Sequence, residues 1–212
     1  QGLPAVVEHL DVRKHAQHPV AHLIDLDRYP LHDLSSPTAR AVIATAKRDI
    51  ADRGYAAFPG FLHPAGVDRC VAEVQRLKDQ AFERNLLRHI YAPDTLDPEL
   101  PQDHPFRQGQ VLVQRMLPAD VFDGDTELRA IYEQVDLPAF LSAITGEPVY
   151  RISDPFLHIA ALLMHRGQSH DWHFDGTDWV VTLLLQRPES GGEFEFVPNT
   201  RSDSDPGLDR VE

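Results

Sequence analysis

The residues with the clearest capacity for chemistry lie in the stretch His170-Asp-Trp-His-Phe-Asp-Gly-Thr-Asp178. Side chains alternate between the two faces of an extended strand, so His173 and Asp175 are expected to project to the same side. Trp172 and Phe174 would then face the other side and pack behind the strand. An imidazole and a carboxylate that converge on one point supply two of the three ligands of the 2-His-1-carboxylate facial triad, which leaves open positions on non-haem iron. The three-residue pattern is weak by itself, because short patterns recur by chance.

Composition and charge narrow the classes of function. The chain has 212 residues, with 20 Lys and Arg against 33 Asp and Glu, and a net charge of −13. An acidic chain is repelled by phosphate backbones and by anionic membrane surfaces, so no nucleic-acid or membrane partner is expected and a small-molecule substrate is favoured. No apolar run reaches the roughly 18 residues of a membrane helix, and the N-terminus lacks a signal-peptide pattern. These features predict a cytoplasmic protein and leave open whether it forms a homodimer.

Helical signals dominate the first two thirds of the chain. Residues 1–34 show no sustained period and predict an N-terminal arm, whereas residues 35–212 predict a single domain. Capping residues and apolar spacing predict four helices, over about 37–53, from Pro64, over 128–132 and over 138–144. The single cysteine, Cys70, lies on the apolar face of the second helix, which predicts a core residue rather than a nucleophile.

After Tyr150 the pattern changes to that of strands. A strand is already expected over 110–116, and a proline-rich surface loop over 91–105. Short apolar runs broken by turns predict three further strands, over 157–164, 179–185 and 194–197. The last two flank a Gly-Gly pair, as in a hairpin. Helices followed by strands predict an α+β protein whose strands form a sandwich or barrel.

Longer motifs carry a resemblance to a known family. They are Leu100-Pro-Gln-Asp-His-Pro-Phe-Arg107, Leu128-Arg-Ala-Ile-Tyr132, Asp154-Pro-Phe, Trp172-His-Phe-Asp175, Thr182-Leu-Leu-Leu-Gln186 and Gly191-Gly-Glu-Phe-Glu-Phe-Val-Pro-Asn-Thr-Arg201. Together they resemble the BesD/HalD-type group of Fe(II)/2-oxoglutarate-dependent oxygenases, which contains free amino-acid halogenases and their hydroxylase relatives. The resemblance runs from about residue 54 to the end. It implies a double-stranded β-helix core, jelly-roll or cupin-like, with N-terminal helices, and it implies Fe(II), 2-oxoglutarate as cosubstrate and O₂.

The residue at position 175 decides which reaction the resemblance implies. In the halogenating members a small residue replaces the carboxylate of the triad, and the vacancy admits chloride to the iron. This chain has Asp175 there, so the resemblance implies a hydroxylase that acts on a C–H bond of a free amino acid, with basic, lysine-like amino acids as the substrate class. Halogenation beside Asp175 is an alternative that we consider weaker.

The family pattern also requires a distal histidine and, beyond it, an arginine for 2-oxoglutarate. All 12 histidines of this chain lie at or before His173, so no histidine follows the pair as the family pattern requires. Three interpretations follow. The chain is part of a longer protein whose C-terminal strands and third ligand lie beyond Glu212, an upstream histidine completes the site, or the protein is a non-catalytic, ligand-binding relative. The first is the expectation, because an incomplete barrel leaves an unpaired edge.

Five further residues are candidates for binding substrate or 2-oxoglutarate near His173 and Asp175. His170 could contact substrate, with an exposed loop histidine as an equal alternative. Thr182 could reach a carboxylate of 2-oxoglutarate, or be a plain strand threonine. Arg107 could hold a substrate carboxylate through a two-point fork, or lie on the surface. Asp178 and Asp154 could pair with the cationic group of a basic amino acid, or be solvated loop carboxylates.

Overall fold

The structure is a computed structural model that describes residues 20–91, 98–170, 172–202 and 204–210. These residues form four α-helices, a three-stranded antiparallel sheet and short 3-10 turns. The helices are α1 (Pro37–Arg53), α2 (Pro64–Leu77), α3 (Glu127–Tyr132) and α4 (Leu137–Thr145). The strands are β1 (Phe82–His89), β2 (Gly109–Leu117) and β3 (Ala161–Leu163). The α+β class is confirmed, and all four helices lie where the sequence predicts them.

Local sequence determines both ends of α1. The Ser36 Oγ accepts a hydrogen bond from the Ala39 N–H at 3.2 Å, which caps the first turn. At the other end Gly54 has a φ of 79°, in the left-handed region, and its N–H donates to the Ile50 carbonyl at 2.8 Å. A serine before the first turn and a glycine after the last therefore delimit the helix as predicted.

Residues 20–34 pack against the start of α2 and contribute to the core. The Asp25 N–H donates to the Phe61 carbonyl at 2.9 Å, and the His63 N–H donates to the Leu23 carbonyl at 2.8 Å. Five apolar side chains of the segment are buried, namely Val20, Leu23, Ile24, Tyr29 and Leu31. Part of the predicted N-terminal arm thus lies within the core, while residues 1–19 of that arm lie outside the described residues.

A buried carboxylate joins α2 to α3. Glu73 is 6% exposed, and its carboxylate accepts hydrogen bonds from the N–H of Glu127 at 2.5 Å and of Leu128 at 3.2 Å. These N–H groups belong to the first turn of α3 and therefore have no partner within that helix. A negative charge is also favoured at a helix N-terminus. Glu73 thereby fixes the start of α3 against α2.

The sheet has β2 at its centre, with β1 and β3 antiparallel on either side. The register joins Phe82 to Met116 and His89 to Gly109. The strand predicted over 110–116 is confirmed as β2. β1 was not predicted, because charged residues interrupt its apolar alternation and its partner follows only after a long connection. Within that connection, residues 92–97 of the predicted loop lie outside the described residues.

Most strands predicted for the C-terminal part are not paired in the described residues. Only residues 161–163 of the strand predicted over 157–164 pair with a neighbour, and neither 179–185 nor 194–197 joins a sheet within the described ranges. Most apolar side chains in these two runs are exposed, with Phe194 at 84%. Apolar and β-branched residues make a segment suitable for a sheet, but a strand forms only where a neighbour accepts and donates its backbone hydrogen bonds. A jelly-roll core is not seen in the described residues.

One apolar cluster connects the helices with the sheet. Its largest fully buried side chains are Phe122, Phe140, Leu23, Ile24, Leu31 and Leu117. Cys70 is also fully buried in this cluster, as predicted. In the part of the chain that the structure describes, no helix is both long and apolar enough to cross a bilayer.

We expect Gly66→Ala to destabilise the fold. A Cβ at position 66 would lie 2.7 Å from the Leu23 carbonyl oxygen and 2.9 Å from the Leu23 Cα, so the backbone of the N-terminal segment would have to move. The expected loss is about 1–3 kcal/mol of unfolding free energy in urea titrations followed by circular dichroism. Gly176→Ala is the matched control, since a Cβ there meets nothing within 4 Å. Equal stability of the two variants would contradict the close approach of α2 to residue 23.

We expect Cys70 to resist alkylation in the folded protein. Burial, with the nearby Glu73 and Glu127 carboxylates, raises the pKa of the Cys70 thiol to about 12. An unfolded thiol has a pKa of about 8.5, so the associated stabilisation is complete below that pH and is lost as the pH rises from about 8.5 to about 12. Iodoacetamide at pH 8.5 should modify the folded chain about a thousandfold more slowly than the urea-unfolded chain. Similar rates would show that the thiol is accessible.

Candidate metal centre

His173 and Asp175 lie side by side, as the alternation of side chains predicts. The His173 Nε2 is 3.3 Å from the Asp175 Oδ1. The imidazole is 17% exposed and the carboxylate 54% exposed. The imidazole is therefore the more buried member of the pair, and the carboxylate is open to solvent.

His170 packs directly on the pair. Its ring is stacked on that of His173, with 4.3 Å between the ring centroids and 19° between the planes. Its Nε2 lies 3.4 Å from the Arg88 Nη1, and it accepts a hydrogen bond there when the proton is on Nδ1. Arg88 comes from β1, so the edge strand of the sheet reaches the site. Burial lowers the pKa of the Arg88 guanidinium, while the Asp175 carboxylate acts in the opposite direction.

Phe174, between the two members of the pair, fastens the segment to the fold. Its N–H donates to the Ile90 carbonyl at 2.9 Å, just beyond the end of β1. Its ring lies 4.9 Å from the Tyr91 ring and 4.3 Å from the Arg201 guanidinium carbon. Trp172, expected to pack behind the strand as Phe174 does, is 55% exposed instead. The segment is irregular rather than a paired strand, so alternation does not continue through it.

The geometry of the pair fits two neighbouring positions on one metal ion. Two donors about 2.1 Å from an ion and 90° apart are about 3.0 Å from each other. The distance of 3.3 Å between His173 Nε2 and Asp175 Oδ1 is close to this value. Imidazole nitrogen with carboxylate oxygen is a donor set suited to non-haem Fe(II). Among the described residues no three His, Cys, Asp or Glu side chains form a metal-binding group, so the pair is a partial site there.

Comparison with known protein families gives one match. A family model described as "HalD: Halogenase D" matches residues 38–211, which is most of the chain. The chain belongs to the Halogenase D family. No curated protein and no solved structure gives a significant match. Membership indicates halogenase-related oxygenase chemistry of the iron and 2-oxoglutarate type.

In this Halogenase D family member Arg107 is engaged with its own loop. Its Nη1 donates to the Leu100 carbonyl at 2.7 Å and lies 3.4 Å from the Pro98 carbonyl oxygen. A guanidinium has five N–H donors, so these contacts leave others for a ligand. The described residues therefore show Arg107 as a loop anchor, and its role in holding a substrate carboxylate stays a prediction.

The remaining predicted residues lie in two places. Asp154 is half-buried in a turn, where its Oδ1 accepts from the N–H of Phe156 at 2.8 Å and of Leu157 at 3.1 Å. Asp178 and Thr182 are exposed in the segment that follows the pair. Over the described ranges the structure shows no hydrogen bond or ion pair from either of them to His173 or Asp175. Of the five surrounding candidates, the structure brings only His170 against the pair.

Three residues beside the pair were missed at the sequence level. They are Arg88, Tyr91 and Arg201. Arg88 lies in β1, the strand that the periodicity did not reveal, and Tyr91 lies two residues beyond its end, so no signal linked them to position 173. Arg201 ends one of the family motifs, but it is 26 residues from Asp175 along the chain and only the fold brings the two together.

We expect Arg107→Ala to loosen the loop over residues 98–104. Loss of the hydrogen bonds to Leu100 and Pro98 should raise amide hydrogen exchange there about tenfold, since one charge-assisted hydrogen bond contributes about 1.5–3 kcal/mol. Hydrogen exchange followed by mass spectrometry measures this change, with the exposed Arg166→Ala as control. Unchanged exchange, combined with a raised KM for substrate, would favour the clamp over the anchor.

Proposed function

We propose that this protein is an Fe(II)/2-oxoglutarate-dependent dioxygenase that hydroxylates an unactivated C–H bond of a free amino acid. The observation that supports this most directly is the convergence of His173 Nε2 and Asp175 Oδ1 within 3.3 Å in a member of the Halogenase D family. Both groups would hold the iron, together with a third donor that completes the ligand set. When bound, iron and 2-oxoglutarate with O₂ supply the oxidising chemistry for the C–H bond.

The chain's own residues hold the segment that bears His173 and Asp175 and orient these two side chains. Stacking of His170 on His173 restricts rotation of the His173 ring, so its Nε2 stays directed at the neighbouring carboxylate. The N–H of Phe174 holds the segment to Ile90. The 54% exposure of Asp175 leaves the outer side of the pair accessible to small molecules. A rigid ligand set with an open side is what positioning of one C–H bond requires.

Hydroxylation is favoured over halogenation by the side chain at position 175. In the halogenating members that this chain resembles, a small residue stands at this position and leaves room for chloride. In this chain the Asp175 carboxylate lies beside His173, where it would take that place. A carboxylate ligand also adds a negative charge, which opposes the approach of an anion to the same position.

A basic, lysine-like amino acid is the proposed substrate class. The net charge of −13 favours a cationic small molecule over an anionic one. Asp178, exposed just after the pair, is the proposed counterion for its ammonium group. Asp154 is a weaker candidate, because the N–H groups of its own turn already occupy one of its oxygens.

We also propose that the exposed apolar runs become strands of a double-stranded β-helix core. Val181, Leu184 and Phe194 are 69%, 73% and 84% exposed, and apolar surface of this kind is normally buried. A sheet that paired these runs would cover it. Slow amide exchange over residues 179–185 in the protein made from its complete gene would support this arrangement, and fast exchange there would contradict it.

A non-catalytic relative that binds a ligand through the same fold is the second candidate. It is favoured by the absence of a third metal donor among the described residues. Metal analysis separates the two candidates. An oxygenase should bind about one Fe(II) per chain, whereas a binding module has no need of it.

We expect the protein expressed from its complete gene to convert 2-oxoglutarate to succinate when supplied with Fe(II), ascorbate and a basic amino acid. Mass spectrometry should find a product one oxygen atom heavier than the substrate. Reactions without the amino acid give the uncoupled background. Absence of succinate with all common amino acids would refute the proposal, and a product containing chlorine would show that Asp175 is compatible with halogenation.

We expect Asp175→Ala to lower hydroxylation at least about 100-fold, because loss of a metal ligand should cost more than the 10–100-fold typical of a residue that only orients one. Succinate formation and hydroxylated product are measured together. Asp123→Ala, which removes an exposed carboxylate elsewhere, is the matched control. Unchanged turnover of the Asp175 variant would remove this residue from the ligand set.

A further inference from the structure

We propose that Arg201 is a positioning residue for the His173–Asp175 pair, acting through the ring of Phe174 and the carbonyl of Asp175. The inference rests on the proposed function, because it assumes that the pair binds metal. Arg201 lies 26 residues beyond Asp175, in the segment that follows the Gly191-Gly192 turn. It touches the segment that bears both ligands at the Phe174 ring and the Asp175 carbonyl.

Two contacts join Arg201 to the motif. Its Nη2 donates a hydrogen bond of 2.7 Å to the main-chain carbonyl of Asp175. Its guanidinium carbon lies 4.3 Å from the centre of the Phe174 ring, within the range of a cation–π interaction. One contact orients the peptide that follows Asp175, and the other orients the residue that precedes it.

Phe174 is also held by residues at the end of β1. The Ile90 carbonyl accepts the Phe174 N–H, and the Tyr91 ring packs on the Phe174 ring at 4.9 Å. Tyr91 in turn donates its phenolic proton to the Pro206 carbonyl at 2.9 Å, which ties the segment of Arg201 to the same cluster. Phe174 is therefore held both by the end of β1 and by the guanidinium of Arg201.

The peptide after Asp175 needs such a restraint. Gly176 follows directly and has no side chain to limit its backbone. No strand pairing holds this peptide in the described structure. The hydrogen bond from Arg201 to the Asp175 carbonyl therefore limits rotation on the C-terminal side of the carboxylate ligand.

An arginine suits this role better than a lysine. A planar guanidinium can lie on an aromatic ring and donate from its edge at the same time. A lysine ammonium could make either the cation–π contact with Phe174 or the hydrogen bond to the Asp175 carbonyl, but not both in this geometry. Arg201→Lys should therefore fail to restore what Arg201→Ala loses, whereas a role based on net charge alone would be rescued.

The test compares metal binding and segment order in the protein made from its complete gene. Mn²⁺ affinity, measured by electron paramagnetic resonance, should be about tenfold weaker in Arg201→Ala and in Arg201→Lys. Arg187→Ala, which removes an exposed positive charge from the same part of the chain, should bind Mn²⁺ as the wild type does. Wild-type Mn²⁺ affinity in Arg201→Ala would overturn the proposal.

A metal-free measurement separates this inference from the proposed function. Both tryptophans of the chain, Trp172 and Trp179, flank the pair, so quenching of their fluorescence by acrylamide reports the order of this segment. Quenching should increase in Arg201→Ala and not in Arg187→Ala. If the wild type bound no Mn²⁺ but this difference persisted, the metal role would fail and the positioning role would stand. If quenching were equal in both variants, the positioning role would fail.

A second variant tests the proposal if Arg201→Ala does not fold. Phe174→Leu keeps an apolar side chain but removes the ring under the guanidinium. With circular dichroism of the wild-type form, it should show the same increase in quenching and the same weaker Mn²⁺ binding. A folded Phe174→Leu variant with wild-type values in both measurements would overturn the proposal.

Discussion

The backbone hydrogen bond between Phe174 and Ile90 is the constraint on which the site depends. It connects the middle residue of the ligand-bearing segment to the residue that follows β1, at 2.9 Å. β1 is paired along its whole length with β2, and β2 contributes Leu112, Met116 and Leu117 to the buried core. The core therefore determines where His173 and Asp175 lie, although neither residue belongs to a strand.

The parts of the fold that were predictable from sequence are those that local chemistry decides. The cap at Ser36, the left-handed Gly54 and the buried Cys70 each follow from residue type and spacing over one or two helical turns. The convergence of His173 and Asp175 is similarly local, because the two residues are only two positions apart along the chain. The stacking of His170 on His173 could not be predicted, since a turn at residues 166–167 changes which side it faces.

The parts that were not predictable depend on contacts between distant segments. β1 alternates poorly, and it is a strand because β2 pairs with it across a connection of about twenty residues. The runs 179–185 and 194–197 have suitable composition but no neighbouring strand among the described residues. Arg88 and Arg201 reach the pair from β1 and from the C-terminal segment, so their relation to it exists only in three dimensions. Composition indicates whether a segment is suited to form a strand, whereas strand pairing depends on which segment lies beside it in the fold.

The restraints on the pair leave the side chain at position 175 out of the contacts that hold the segment. The Ile90 and Arg201 hydrogen bonds involve main-chain atoms of residues 174 and 175, and both ring contacts involve Phe174. None of them uses the side chain of residue 175, which is 54% exposed. That side chain can therefore change without loss of the contacts that hold the segment, while His173 stays in place. Under the proposed function a carboxylate there would complete a ligand pair and a small residue would leave a vacancy, so the choice between hydroxylation and halogenation would be made by a side chain that these contacts do not use.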